Sequence, residues 1–259
     1  MKLFSVIYLV VVMMMACSSH NEKTEQSEKH PDRLKMKFRD ITEIARLRRL
    51  TDLKKDMNPF FSADGDRIYF TRLLIPTPAD TEGVLSEARE RYFSIDYKND
   101  ILYLLEGVPD NPQPDIIQAK ALPEMATEKP LFGYQTSEAI YFCARNRARN
   151  YFTNIYKLVN DSLIQITYGH KPALLKAISP DQRYLVFLYG ERSSQIVVLD
   201  LRTDEFYAVP KSEIESDRFD FSPSFSPDSR YFVFLRSGEL YRKGLTPFGN
   251  IWLVEFKDE

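Results

Sequence analysis

Four segments of the chain alternate apolar and polar positions in the same way. FFSADGDRIYF (60–70), FGYQTSEAIYF (132–142), AISPDQRYLVF (177–187) and SFSPDSRYFVF (224–234) each pass from a polar turn into an aromatic-rich run that closes on Phe70, Phe142, Phe187 or Phe234. Runs this short, rich in Tyr, Phe, Val and Ile, read as strands. Each copy predicts a following strand opened by Asn, Asp or Gln: NDILYLLE (99–106), TNIYKLV (153–159), SQIVVLD (194–200) and GNIWLVE (249–255). SLIQIT (162–167) and EFYAVP (205–210) predict a further strand after the second and third copies. The closing Phe residues lie 72, 45 and 47 residues apart. Strand, hairpin, strand, turn, strand at ~45 residues is the period of a propeller blade.

The turns have a mechanism. In Ser179-Pro180-Asp181 and Ser226-Pro227-Asp228, proline presets φ for a type I turn, and Ser and Asp can accept local backbone N–H groups. Ser62-Ala63-Asp64-Gly65 is the same turn with glycine fourth, while Gln135-Thr136-Ser137-Glu138 has lost both Pro and Asp. Recurrence in one turn makes these aspartates structural rather than a carboxylate cluster. The long first interval predicts a hairpin or short helix over Glu87 to Tyr92, or a fifth blade. Phe38, Ile41, Ile44 and Leu47 recur every third residue and predict a short amphipathic helix within 33–49.

The N-terminus has another pattern. One lysine is followed by a run of apolar or small residues from Leu3 to Ala16, shorter than the ~20 residues a bilayer span needs and fitting a secretory signal. Ala16-Cys17-Ser18-Ser19 resembles a bacterial lipobox, which implies cleavage after residue 16 and acylation of Cys17. Ser18 is compatible with outer-membrane sorting. Residues 18–32 carry no large apolar side chain and read as a flexible tether, extending over 17–37.

FSADGDRIYF, ISPDQRYLVF and FSPDSRYFVF, each followed by strands such as NIYKLV or NIWLVE, resemble TolB-type propeller repeats. The resemblance implies an all-β chain, a β-propeller over 38–259 with about four blades, or five. The final copy stops at NIWLVEF with no outer strand of its own. ARLRRLTDL (45–53) resembles the family's outer strand and is expected to complete that blade, closing the ring from the N-terminus. The same repeats occur in non-catalytic propellers of prolyl-oligopeptidase relatives, so the resemblance speaks for fold more than function.

Composition narrows the chemistry. With 35 Lys+Arg against 37 Asp+Glu the net charge is −2, which gives nucleic acid no global field to follow. Two Cys and three His leave little for a metal centre, and His20 and His30 fall in the tether. Cys143 follows Ile140-Tyr141-Phe142 and reads as a buried thiol. No Gly-x-Ser-x-Gly elbow, phosphate loop or Cys-x-x-Cys pair occurs, and one histidine in the folded region, His170, argues against the metal-dependent lyases that use such propellers. No cofactor, metal or catalytic residue is expected. Candidate binding residues are Arg145, Arg147, Arg149 and His170. Residues 33–55 form a second basic stretch, with nine Lys/Arg against Asp40, Glu43 and Asp52. Both suit an anionic partner: a phospholipid, a surface polysaccharide or an acidic protein patch. The expected function is a lipid-anchored, non-catalytic propeller of the bacterial cell envelope binding a protein or glycan. The alternatives are a carbohydrate-active or sugar-binding protein using the channel, and a structural subunit of an envelope complex.

Overall fold

Each repeated aromatic segment forms an inner strand of a run of antiparallel strands; the first and last runs, sheets I and IV, are the two halves of one eight-stranded sheet. The computed structural model describes residues 36–74, 89–111, 117–126, 128–148, 152–168, 171–190, 194–212, 218–237 and 248–258. Cys17, the segment 1–16, most of the tether, Arg149 and His170 lie outside them. The fold is all-β.

Two N-terminal strands come first, β1 (Arg39–Asp40) and β2 (Ala45–Arg49), separated by a single 3-10 turn over Ile41–Glu43. Sheet I follows as β3 (Asp56–Phe61), β4 (Ile68–Leu74), β5 (Arg89–Asp96) and β6 (Ile101–Leu104). Sheet II holds β7 (Ile117–Gln118), β8 (Glu128–Gln135), β9 (Ile140–Asn146), β10 (Thr153–Val159) and β11 (Ser162–Gln165). Sheet III is β12 (Ala173–Ile178), β13 (Tyr184–Tyr189), β14 (Gln195–Asp200) and β15 (Glu205–Ala208), with β1 added in parallel to β15. Sheet IV is β16 (Asp220–Phe225), β17 (Tyr231–Ser237) and β18 (Gly249–Phe256). Its fourth strand is β2, antiparallel to β18 with Arg49 opposite Trp252 and Ala45 opposite Phe256. The N-terminal strand therefore completes the C-terminal sheet, as the ARLRRLTDL pattern led one to expect.

One backbone bond recurs in all four sheets and identifies them as copies. The N–H groups of Leu105, Ile166, Val209 and Leu50 donate to the carbonyls of Tyr92, Ile155, Ile196 and Ile251 at 2.9, 2.8, 3.0 and 2.8 Å. In two copies the next residue is threonine, and the Thr51 and Thr167 hydroxyls accept from the N–H of Ile251 and Ile155, each at 2.9 Å. The Leu-Thr ending is thus a seal between third and fourth strands.

Sheets I and IV touch edge to edge where Gly249 pairs with Asp56. A Cβ on Gly249 would sit 2.1 Å from the Arg236 carbonyl oxygen, so a side chain there would force the strands apart. Elsewhere the sheets pack through side chains. Met57, Ile68 and Phe70 of sheet I meet Val233, Leu235 and Ile251 of sheet IV. Phe232, Phe234 and Val254 of sheet IV meet Tyr184, Val186 and Val198 of sheet III. Leu175, Leu185 and Phe187 of sheet III meet Tyr141, Cys143 and Ile155 of sheet II. Each fully buried Phe, Leu or Ile contributes roughly 1.5–3 kcal/mol, so these interfaces supply most of the stabilisation. The far face of sheet II, Phe142 and Tyr156, is covered by Leu122 and Met125 from the segment before β8.

Two local expectations are corrected, and a third is resolved. Residues 36–49 do not form an amphipathic helix; they make two short strands around a 3-10 turn. Of the hairpin or short helix expected around 87–92, the hairpin forms: β5 pairs antiparallel with β4. NDILYLLE, expected as the strand directly after the first copy, is instead one strand further out: among the described residues this strand, β6, pairs with β5 and not with β4.

Candidate functional site

The Ser-x-Asp turns use their side chains on themselves. Ser62, Ser179 and Ser226 each donate Oγ–H to Oδ1 of Asp64, Asp181 and Asp228 at 2.6, 2.5 and 2.5 Å. The same hydroxyls accept from the N–H of Arg67, Tyr184 and Tyr231, and the aspartates accept from Asp66, Arg183 and Arg230. These bonds hold the Asp64 carboxyl below the usual carboxylate range, the Ser62 hydroxyl contributing most. Pro180 and Pro227 occupy the second turn position in the latter two. In sheet II, Thr136 replaces the serine, its Oγ1 accepting from the N–H of Glu138 and Ala139.

The residue after the aspartate takes positive φ in each: Gly65, Gln182 and Ser229. It also reaches the turn of the preceding sheet. The Ser137 N–H donates to Gln182 Oε1 at 2.7 Å, and the Asp181 N–H to Ser229 Oγ at 2.9 Å. At the third junction a Cβ on Gly65 would stand 3.2 Å from Pro227 Cδ, so contact replaces the hydrogen bond. The turns form a chain along one end of the molecule, from sheet II through III and IV to I.

The ionisable side chains deepest in the protein are also paired. Arg236 donates Nε–H and Nη2–H to Asp220 at 2.8 and 3.3 Å, and the Ile196 N–H from sheet III adds a bond at 3.1 Å. Arg72 and Asp56 repeat this in sheet I at 2.5 and 3.0 Å. Each guanidinium lies against aromatic rings at equivalent positions, Phe234 and Trp252 in one sheet, Phe70 and Phe93 in the other. The sequence reading missed both pairs. Aligning Phe70 with Phe234 would have found them, since each arginine stands two residues after its Phe and sixteen after its aspartate.

Cys143 lies in the interface between sheets II and III, and burial pushes its thiol up to about 12. Such a thiol is no nucleophile at neutral pH. Arg145 and Arg147 lie at the end of β9 and just beyond it, Arg147 donating to the Met125 carbonyl at 3.4 Å. The structure therefore places these two near each other, while Arg149 and His170 fall outside the described residues.

A cleft of about 430 Å³ opens where β2 meets sheet I. Arg48, Arg49 and Arg72 bring guanidinium groups to it, Asp100 a carboxylate, and Ile95 and Leu102 an apolar wall. Arg72 is held by Asp56; Arg48 bonds Asp100 Oδ1 at 3.0 Å and the Tyr97 carbonyl. Arg49 is exposed and makes no ion pair among the described residues. A cation beside an apolar wall suits a ligand that is acidic and partly apolar. This cleft uses the basic stretch 33–55 but not the arginines after β9.

No family model and no curated protein matches the chain. Among solved structures it is similar to TolB from Acinetobacter baumannii, at 15% identity over 80% of this chain and 45% of that one, TM-score 0.29. It is similar to a putative TolB from Agrobacterium tumefaciens, at 14% identity over 81% and 65%, TM-score 0.33. A Mycobacterium tuberculosis puromycin-hydrolyzing peptidase is similar at 13% identity over 71% and 26%, TM-score 0.33. The chain spans less than two thirds of the length of each. The architecture given above rests on its own strand pairing and side-chain contacts, not on these superpositions.

Proposed function

We propose that this chain is a lipid-anchored β-propeller of four blades, held in the bacterial cell envelope through Cys17, that binds a partner without catalysing a reaction. The four sheets of equivalent pairing are the blades, and β2 is the strand that closes the last of them. The observation that carries the binding reading is the placement of charge. The aspartates of the turns and the two buried aspartates are bonded internally, whereas Arg49 of β2 is exposed at an apolar-walled cleft. A rigid scaffold with an unneutralised cation at its rim favours recognition of an acidic protein or glycan.

The test is crosslinking of the full-length protein in intact envelopes, with Cys17→Ser as the untethered control. A stoichiometric partner captured by the wild type and lost on untethering is expected. Capture of no protein and no glycan by the wild type would overturn the reading.

A further inference from the structure

The four outer strands treat their open edges differently. β15 is covered by β1 in parallel. β2 carries Arg46, Arg48 and Arg49, which discourage edge pairing by charge. β11 exposes Leu163 and Ile164 between Ser162 and Gln165. β6 has none of these devices. Its whole sequence is Ile101-Leu102-Tyr103-Leu104, and all four side chains are exposed, between 37 and 63%. Its one strand partner is β5, and its other edge is open, among the described residues.

The register says which peptide groups face outward. The Leu105 N–H donates to the Tyr92 carbonyl on β5 at 2.9 Å. In an antiparallel ladder alternate residues turn their N–H and C=O to the same neighbour, so Ile101 and Tyr103 bond to β5 as Leu105 does. The N–H and C=O groups of Leu102 and Leu104 then point away from the sheet. Leu102 also lines the cleft that holds Arg48 and Arg49. An open, apolar edge and an unneutralised guanidinium thus share one rim.

We infer that β6 is an acceptor edge: an extended segment of a partner protein, apolar in its middle and acidic at its flank, adds to it as a further strand. Its backbone bonds to the outward peptide groups of Leu102 and Leu104, its apolar side chains cover the β6 side chains, and its carboxylate engages Arg49. Main-chain bonding gives affinity and the flanking charge gives selection. The inference rests on the binding reading above and names the kind of partner.

The probe is a fluorescein-labelled peptide of alternating Val and Thr flanked by Glu pairs, beside the same peptide with Lys for each Glu. Anisotropy is measured against full-length protein in detergent micelles. The Glu peptide is expected to bind at least roughly tenfold tighter than the Lys peptide, with affinity falling as salt rises. Leu102→Pro removes an outward donor while sparing the bonds to β5, and is expected to weaken binding by roughly tenfold. Leu104→Glu, at a side chain 63% exposed, serves as a variant that leaves the fold intact and is expected to lose binding similarly. Hydrogen exchange over 101–105 is expected to slow when the Glu peptide is bound. Equal affinity for the two peptides, no binding of either, unchanged binding by both variants, or a protein already dimeric through β6 would each overturn the inference. Envelope crosslinking separates the two readings. A partner still captured by Leu104→Glu sinks the edge assignment and leaves the binding reading standing, whereas a wild type that captures nothing sinks the binding reading itself.

Discussion

Asp220 and Arg236 are both almost wholly buried, and their bonds reach two sheets at once: Arg236 Nη1–H also donates to the Pro210 carbonyl at 3.1 Å. Truncating one member leaves the other as an uncompensated charge between sheets III and IV. Arg236→Ala is therefore expected to cost about 3–5 kcal/mol, read as a lowered urea midpoint. A loss below about 1 kcal/mol would mean that water reaches the pair. Cys143 gives a pH dependence with a definite sign. The unfolded thiol titrates near 9, while burial holds the folded one protonated up to about 12. Between those values the folded chain binds more protons, so the contribution is complete below pH 9 and declines as pH rises through the window. Cys143→Ala is expected to flatten that part of the stability–pH curve measured by urea unfolding; an unchanged slope would show that the thiol is not its source. The burial of Cys143 was legible from its apolar neighbours. The two ion pairs were not, because an Asp and an Arg sixteen residues apart become partners only after β3 and β4, or β16 and β17, are placed in register.

The turns were the most legible elements, since Pro, Ser and Asp act on their own backbone and need no distant partner. What the sequence hid is that they touch one another. Gly65 takes φ +77° with Pro227 against the space its Cβ would fill. Gly65→Ala is expected to cost about 1–2 kcal/mol from the left-handed backbone alone, with the Pro227 contact adding to it. Ser226→Ala removes a hydroxyl that donates to Asp228 and accepts from Tyr231, and should cost about 1–2 kcal/mol. Thermal unfolding of both variants checks this, and a melting temperature equal to the wild type in either would deny that turn its part. The misread elements failed for a physical reason. Phe38, Ile41, Ile44 and Leu47 mimic a helical period because the chain crosses two interfaces in ten residues, Phe38 at sheets II and III, the others at III and IV. β5 was obscured by Arg89, Glu90 and Arg91, charges that belong to the end of the hairpin farthest from the β5–β6 turn.

The sheets pack in the order II, III, IV, I, and sheet IV lies between III and I although its strands come from both ends of the described chain. β2 is fixed by β18, and the Lys257 N–H adds a bond to the Ile44 carbonyl at 2.9 Å. Deletion of residues 36–53 removes this strand and Ile41 and Ala45 from the III–IV interface. Such a protein is expected to melt without cooperativity and to bind a hydrophobic dye at room temperature. A sharp transition like that of the full chain would show that β2 is dispensable. The N-terminal closure was legible because the final copy lacked an outer strand and ARLRRLTDL offered one. The cleft was only half legible: the basic stretch could be read, but β6 could not be recognised as its neighbour until β5 was known. The shared sheet IV also has a consequence for biosynthesis. Residues 45–49 emerge from the ribosome some two hundred residues before β18, their strand partner, is made. Residues 45–49 must wait, unpaired, until β18 has been made, so formation of this pair reports that synthesis has passed residue 256. A chain released early at residue 248 would carry β2 with nothing to join, and that orphan strand would mark the product for proteolysis.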